Sequence, residues 1–195
     1  FLGGGKCNTV SGYFATIGGG QCNTVSGYFA TIGGGRLNTA SAACTFIGGG
    51  ASNIAGGINS IIVGGTLNSA SAAFSTIVGG TLNTASSPCS FVGGGVSNRI
   101  TALGARSAIV GGKENSISTS YGENNFIGGG SNNTLASNYD GVITGGKLNS
   151  ISSYQGAFIG GGTCNCINNS YNSIVGGLCN TISAYYSFIG GGRLN

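Results

Sequence analysis

A repeat of about fifteen residues runs through this 195-residue chain and limits the folds it can adopt. Each repeat opens with an aliphatic start residue and, after one further position, a pair of glycines. The start residues are Leu2, Ile17, Ile32, Ile47, Ile62, Ile77, Val92, Ile109, Ile127, Ile143, Ile159, Ile174 and Ile189. Successive start residues are 15 positions apart, except for four spacings of 16 to 18 between Val92 and Ile159. A unit this short cannot bury its own apolar side, so the repeats must stack on one another.

Asparagine stands six positions after every start residue. These residues, the Asn column, are Asn8, Asn23, Asn38, Asn53, Asn68, Asn83, Asn98, Asn115, Asn133, Asn149, Asn165, Asn180 and Asn195. Two positions after each Asn except the last comes an aliphatic residue or Ala, usually between Thr or Ser, as in Thr9-Val10-Ser11. This alternation has the period of a β-strand, whereas each glycine would cost a helix about 1 kcal/mol. Each repeat therefore predicts a short strand, a Gly-Gly turn, a second short strand and a looser corner.

Stacking these units in register predicts an all-β fold, a parallel β-solenoid of about 13 coils with a repeat of about 15 residues. Neighbouring coils should lie ~4.8 Å apart, with backbone hydrogen bonds running along the stacking axis. We expect residues 1–195 to form a single repeat domain that is a fragment of a longer fibre. Residues 92–158 hold the coils with longer loops.

These longer loops are candidate recognition sites, because extra residues in a solenoid map to loops on one face. All three acidic residues fall in this region, together with two arginines. The candidate recognition residues are Arg106, Glu123 and Asp140. The competing interpretation is that the loops are insertions that the fold merely tolerates.

The Asn column has two structural interpretations. As a ladder, each side-chain amide bonds the amides above and below it, as in stacked cross-β chains. As a local device, each Asn bonds the nearby backbone at a turn, where Asn also tolerates the left-handed conformation.

Composition excludes several classes of protein. Gly accounts for 42 residues without a period of three, which excludes collagen, and 40% hydrophobic residues are too many for a disordered chain. A net charge of +4 with no dense basic patch predicts no nucleic-acid partner, and the lack of a long apolar run predicts no membrane insertion by this segment. With no His and three scattered acids, we expect no enzymatic activity, no cofactor and no metal site.

Four of the seven cysteines are paired by the repeat. Cys7 and Cys22 occupy the same repeat position in neighbouring coils, and so do Cys164 and Cys179. Leu often fills this position in other repeats, so Cys here predicts a buried small hydrophobe. A coil spacing of ~4.8 Å also lies within the Cα range of a disulfide. The sequence favours thiols or a mixture and leaves disulfides open.

The residues that flank each start residue should point outward on one face, yet many are apolar. A Phe before the start residue is always followed by Gly after it, and smaller residues usually come with Val or Thr. Such compensating volumes predict a packed surface, and the apolar area is too large to leave in water. The apolar strip comprises Phe46, Ile61, Val63, Val78, Phe91, Val110, Phe126, Phe158, Val175 and Phe188. It predicts association of the chain with copies of itself; the alternative is packing on another segment of a longer chain.

Thr and Ser on either side of the second inward residue predict a face with regularly spaced hydroxyls. Such a face could order water or match ice, which gives an alternative function. The hydroxyls are interrupted at residues 54–56, 99–101 and 166–168. The simpler interpretation is a solvated strand face that uses hydroxyl residues for their β-propensity.

The units read like Ile-Gly-Gly-Gly-x-x-Asn-Thr-x-Ser-Gly-x-x-Ala-Thr over the whole chain, most clearly in residues 17–46. This pattern resembles the YadA-like, haemagglutinin-type head repeats of trimeric autotransporter adhesins, and is similar to Gly-Gly-Gly-x-x-Asn repeats of phage and giant-virus fibre proteins. The resemblance implies a left-handed parallel β-roll, a homotrimer and a role in attachment at a cell or virion surface. The expected function is a structural shaft, extracellular, with a host-surface receptor or glycan as partner.

Overall fold

The computed structural model describes residues 1–101, 103–119, 121–137, 139–153 and 155–195. Two compact units divide the chain, unit 1 at Phe1–Val96 and unit 2 at Ser97–Asn195. Each unit is a stack of coils with two short parallel strands per coil, and no described residue is helical. Together the units comprise about twelve turns, because Leu2 forms an isolated bridge with Ile17 rather than a strand. The predicted all-β parallel β-solenoid is confirmed.

The strands form two sheets, one of odd-numbered strands (the odd sheet) and one of even-numbered strands (the even sheet). In each coil the strand that follows the Asn belongs to the odd sheet, and the strand that reaches the next start residue belongs to the even sheet. In unit 1 the odd sheet contains β1 (Thr9–Val10), β3 (Thr24–Val25), β5 (Thr39–Ala40), β7 (Ile54–Ala55), β9 (Ser69–Ala70) and β11 (Thr84–Ala85). The even sheet of unit 1 contains β2 (Thr16–Ile17), β4 (Thr31–Ile32), β6 (Phe46–Ile47), β8 (Ile61–Ile62), β10 (Thr76–Ile77) and β12 (Phe91–Val92).

Unit 2 repeats this arrangement. Its odd sheet contains β13 (Arg99–Ile100), β15 (Ser116–Ile117), β17 (Thr134–Leu135), β19 (Ser150–Ile151), β21 (Cys166–Ile167) and β23 (Thr181–Ile182). Its even sheet contains β14 (Ala108–Ile109), β16 (Phe126–Ile127), β18 (Val142–Ile143), β20 (Ala157–Ile159), β22 (Asn172–Ile174) and β24 (Phe188–Ile189).

Strands pair in parallel with equal repeat positions opposite one another, as Thr24 and Val25 pair with Thr39 and Ala40. The backbone bonds join coil to coil: Thr24 N donates to Asn38 O at 2.8 Å. In most strands one residue points outward and the next points inward, so the start residues and the aliphatic residues two after each Asn form the core, apart from those in the end coils such as Leu2. Ile17, for example, is completely buried.

The extra residues of the longer repeats all enter the same connection of the coil. The link from odd to even strand, which is 26–30 in a 15-residue repeat, becomes 101–107, 118–125 and 136–141 in unit 2. The link from even to odd strand keeps its length, as 18–23 and 110–115 show. The Gly-Gly turn with its Asn is therefore the invariant side of the coil.

An Asn inside the column, such as Asn38, ties three coils together through backbone groups. Asn38 Oδ1 accepts a bond from Asn53 N at 2.9 Å, and its Nδ2 donates to Gly34 O at 3.1 Å and to Gly50 O at 3.0 Å. Its own N donates to Asn23 Oδ1 at 3.0 Å. The side chain bonds mainly to backbone, and amide-to-amide bonds such as Asn23 Nδ2 to Asn8 Oδ1 at 3.2 Å are additions. Both interpretations thus hold in part.

The left-handed residue at this turn is the one before each Asn and not the Asn itself. Cys22 has a φ of 55° and Leu37 a φ of 57°. The first turn column is Cys7, Cys22, Leu37, Ser52, Leu67, Leu82, Ser97, Glu114, Asn132, Leu148, Cys164, Cys179 and Leu194, all left-handed. The Asn column itself does not use the left-handed conformation that Asn tolerates.

The side chains of the first turn column face solvent. Leu37 is 48% exposed and Leu67 50% exposed, while Cys164 is exposed and Cys179 half-buried. The prediction that cysteines here are buried small hydrophobes is therefore wrong. The left-handed backbone directs the Cβ outward at this position, whichever residue occupies it.

The corner before each even strand is the connection whose length varies between coils. It carries a left-handed residue too, and this second turn column is Phe14, Phe29, Cys44, Asn59, Phe74, Cys89, Arg106, Asn124, Asp140, Gly156, Tyr171 and Tyr186. The next residue is turned inward: Asn125 Nδ2 donates to Ser137 O at 3.0 Å, and its Oδ1 accepts from Gly141 N at 2.9 Å. Asn125 thus repeats the bonding of the Asn column on the other side of the coil.

We predict that Asn68→Ala lowers the free energy of unfolding in urea by about 1–3 kcal/mol. Asn68 Oδ1 accepts from Asn83 N, and its Nδ2 donates to Gly64 O and Gly80 O, so the change leaves buried backbone groups without partners. Ser60→Ala is the matched control. The Oγ of Ser60 is buried and has no hydrogen-bond partner among the described residues, so its removal breaks no bond. It should change stability by less than about 0.5 kcal/mol. Equal small effects would mean that the column is merely permissive.

The two glycines of each turn differ in how strictly they are required. Gly50 has a φ of +89°, and a Cβ there would lie 2.1 Å from Gly65 O and 2.8 Å from Asn53 Nδ2. A Cβ on Gly49 would meet nothing within 4 Å, and its φ is not left-handed. In this turn only the second glycine is therefore imposed by sterics, whereas in other turns the first glycine also has a positive φ, as at Gly4 and Gly161.

We accordingly expect Gly50→Ala to destabilise unit 1 by about 1–3 kcal/mol, from backbone strain and the close approach of the next coil. Gly49→Ala, one residue away, should change stability by less than about 0.5 kcal/mol. Thermal unfolding followed by circular dichroism measures both. Comparable losses in the two variants would contradict the steric explanation.

Candidate assembly and recognition surfaces

The apolar strip lies on the outer side of the even sheet, as predicted from the residues that flank the start residues. In unit 1, Phe46, Ile61, Val63, Val78 and Phe91 are 40%, 38%, 50%, 43% and 38% exposed. In unit 2 the strip residues are Val110, Phe126, Phe158, Val175 and Phe188. Among the described residues, neither flanking position carries a charged side chain. Each unit thus presents an uncharged apolar surface along its even sheet.

Each Phe of the strip is paired with Gly because its ring lies over that glycine. A Cβ on Gly160 would meet Phe158 Cε1 at 3.3 Å, and one on Gly128 would meet Phe126 Cε1 at 3.4 Å. In most coils without Phe, Val or Thr fills the position after the start residue, as at Val175, whereas Gly18 and Gly33 follow start residues that come after Thr. Large and small residues therefore level the surface instead of forming knobs and holes.

The outer side of the odd sheet carries the predicted hydroxyls in register. Thr9 pairs with Thr24, and Thr24 with Thr39. Ser71 Oγ donates to Ser86 Oγ at 2.9 Å, so the hydroxyls of neighbouring coils can bond to one another. Ile54 interrupts this face in unit 1, where its side chain is 47% exposed.

The three candidate recognition residues are brought together at the second turn column of unit 2. Arg106 forms an ion pair with Glu123, and its Nε donates to Asn124 Oδ1 at 3.2 Å. Asn124 Nδ2 in turn donates to Asp140 Oδ1 at 3.1 Å. These four residues, the polar corner cluster, lie in successive coils. The ion pair is solvent-exposed, so it contributes at most about 1 kcal/mol to stability. The cluster matters because it places charged and amide side chains together on an exposed corner.

The third acid, Glu114, belongs to a separate group on the first turn column. Its Oε2 accepts from Asn132 Nδ2 at 2.7 Å, and its Oε1 lies 3.4 Å from Lys113 Nζ. The hydrogen bond from Asn132, followed by the charge of Lys113, lowers the pKa of this carboxyl. The structure thus separates Glu114 from Glu123, which lies at the other corner of the coil.

Exposed aromatic residues stack along the second turn column, a feature that sequence analysis missed. In unit 1 the rings of Phe14 and Phe29 lie 5.0 Å apart with planes 14° from parallel. In unit 2 the rings of Tyr171 and Tyr186 lie 5.2 Å apart and 1° from parallel. The signal was present in the sequence, because both pairs are one repeat of 15 residues apart.

All seven cysteines are free thiols, and in unit 2 Cys164 interacts with both Cys166 and Cys179. A hydrogen bond with the Cys164 thiol, followed by burial, raises the pKa of Cys179. Burial, followed by the neighbouring Cys164, raises the pKa of Cys166, whose thiol donates to Asn168 Oδ1 at 3.1 Å. Cys164 and Cys179 thus contact each other between neighbouring coils, as their shared column predicts.

The residues that the structure describes contain no pocket and no group of three or more metal-ligating side chains. Nor do they include a helix that is long and apolar enough to cross a membrane. Comparison of the chain with protein-family models and with curated proteins finds no match.

Proposed function

We propose that this chain is the β-solenoid shaft of an extracellular surface fibre or adhesin, on a cell or a virion, and that it assembles as a homotrimer. Its role is structural and not catalytic: it holds attachment residues away from the surface. The observation that carries the proposal is the uncharged apolar strip on the even sheet of each unit. Monomeric proteins rarely leave such a surface in water, so the strip needs a partner.

The partner that fits is another copy of the chain, because a level strip matches an identical level strip. Cyclic symmetry brings the same surface of each subunit to a common axis. The number three rests on the resemblance of the repeats to those of trimeric adhesins. Attachment to a receptor or glycan would fall to the residues left outside the interface, with the polar corner cluster of Arg106, Glu123, Asn124 and Asp140 as the candidate.

Magnitudes show why many coils are needed. Phe158 is 36% exposed, so covering the rest contributes roughly 0.5–1 kcal/mol, a third of the ~1.5–3 kcal/mol for full burial. Association costs about 4–15 kcal/mol in lost freedom of motion. One or two strip residues cannot meet that cost, whereas the strip summed over many coils can. Assembly should therefore strengthen as coils are added.

We predict that Phe126→Asp with Phe158→Asp converts the assembled protein to monomers, because two charges per subunit would be buried at the interface. Sedimentation velocity gives the mass of the particle for the parent chain and for the variant. Ser116→Asp with Ser150→Asp is the matched control: it adds the same charge to the odd sheet of the same unit, two coils apart as in the test variant, and should leave the assembly intact. A parent chain that stays monomeric at high concentration would refute the proposal.

An ice-binding or water-ordering solenoid is the second candidate function. The in-register hydroxyls of Thr9, Thr24 and Thr39 favour it, since they repeat at the coil spacing. This function predicts thermal hysteresis in solution that is lost on Thr24→Asp with Thr39→Asp. The fibre proposal predicts no thermal hysteresis beyond that of an unrelated control protein, so the assay separates the two functions.

A further inference from the structure

We propose that Cys164 and Cys179 are the site of an inter-coil disulfide, formed by a disulfide oxidant such as oxidised glutathione. This inference does not depend on the proposed fibre function. It assigns a covalent modification to two side chains that the fold holds one above the other.

The backbone positions the two residues as neighbours. Thr163 and Leu178, the residues just before them, form a parallel bridge, and Cys179 N donates to Thr163 O at 2.9 Å. Both cysteines are left-handed, with φ of 60° and 54°, so their side chains leave the backbone in the same direction. Coils ~4.8 Å apart meet the Cα separation that a disulfide requires. Little movement of the backbone is needed to join the sulfurs.

The chemistry takes place in two exchange steps. The exposed Cys164 attacks oxidised glutathione, forms a mixed disulfide and releases one reduced glutathione. Cys179 then attacks the Cys164 sulfur, closes the disulfide and releases the second reduced glutathione. The two thiols lose two protons and two electrons in total, and oxidised glutathione accepts both electrons. The thiolate is the attacking form, so the raised pKa of Cys179 makes closure faster at alkaline pH.

Cys166 is the nearest competitor, and the register excludes it from an inter-coil disulfide. It lies on strand β21 and is paired with Ser150 on one side and Thr181 on the other, so no cysteine stands at its position in either neighbouring coil. Cys44 and Cys89 are single in the same sense: in unit 1, Cys44 lies between Phe29 and Asn59 in the second turn column. These cysteines should stop at the mixed disulfide with glutathione.

The test uses the full chain with Cys7→Ser, which removes the other vertically paired thiols. The folded protein is equilibrated with oxidised glutathione, free thiols are alkylated, and the protein is digested with chymotrypsin without reduction. Cleavage after Tyr171 separates Cys164 and Cys166 from Cys179, so a disulfide appears as two linked peptides in the mass spectrum. We expect the linked peptides, with Cys44 and Cys89 found as glutathione adducts.

Two further variants identify the sulfur involved. The link should persist in Cys166→Ser and disappear in Cys164→Ser. Oxidation should raise the melting temperature by roughly 5 °C in the Cys7→Ser chain and not in the Cys164→Ser derivative, because a closed 15-residue loop restricts the unfolded chain. Glutathione adducts on both Cys164 and Cys179 without a link, or a link that survives Cys164→Ser, would overturn the proposal.

Discussion

The hydrogen bonds of the Asn side chain are the interaction on which this fold depends. In each coil one buried amide, such as that of Asn38, accepts from the backbone of the next Asn and donates to two glycine carbonyls. An unpaired buried group of this kind costs about 1–3 kcal/mol, so a slip of one residue in any coil would be penalised at every one of these bonds. The network fixes the register, and the register in turn fixes every column on the surface. The second glycine and the left-handed residue before Asn follow from the same network, because both are needed to turn the amide inward.

In-register stacking makes each surface of the protein a column that repeats one choice of residue. The even sheet repeats an apolar choice, and the odd sheet repeats a hydroxyl choice. The polar corner cluster forms by the same rule, since Arg106, Asn124 and Asp140 occupy one position in successive coils. A single substitution changes such a surface little, whereas a bias sustained over several repeats produces a patch large enough to bind a partner. Function in a fold of this kind is therefore carried by columns and not by individual residues.

The sequence was sufficient for the fold because its strongest signals are geometric. Alternation around residues such as Val25 gave the strands, and a constant spacing between start residues gave parallel register. The backbone conformation at the turns could not be predicted in this way. Leu37 and Cys22 have no preference for a left-handed φ; they adopt it because the bonds of the following Asn require it. An apolar side chain at this position predicts burial, whereas the left-handed backbone turns it toward solvent. The sequence places Arg106 and Glu123 in the region of longer loops but does not predict their ion pair, because residues in loops of unequal length have no fixed partner until the coils are aligned.

Because added residues are confined to one connection, the number of residues in a coil and the length of the stack vary independently. Advance along the stack is set by the separation of hydrogen-bonded backbones and not by how many residues a coil contains. The 18-residue repeat from Ile109 to Ile127 therefore lengthens the stack by the same strand spacing as a repeat of 15 residues, and it differs in the number of residues around the coil. The length of such a stack therefore changes only by whole coils. Residues inserted singly into the variable connection enlarge the loops on one side and leave the length of the stack unchanged.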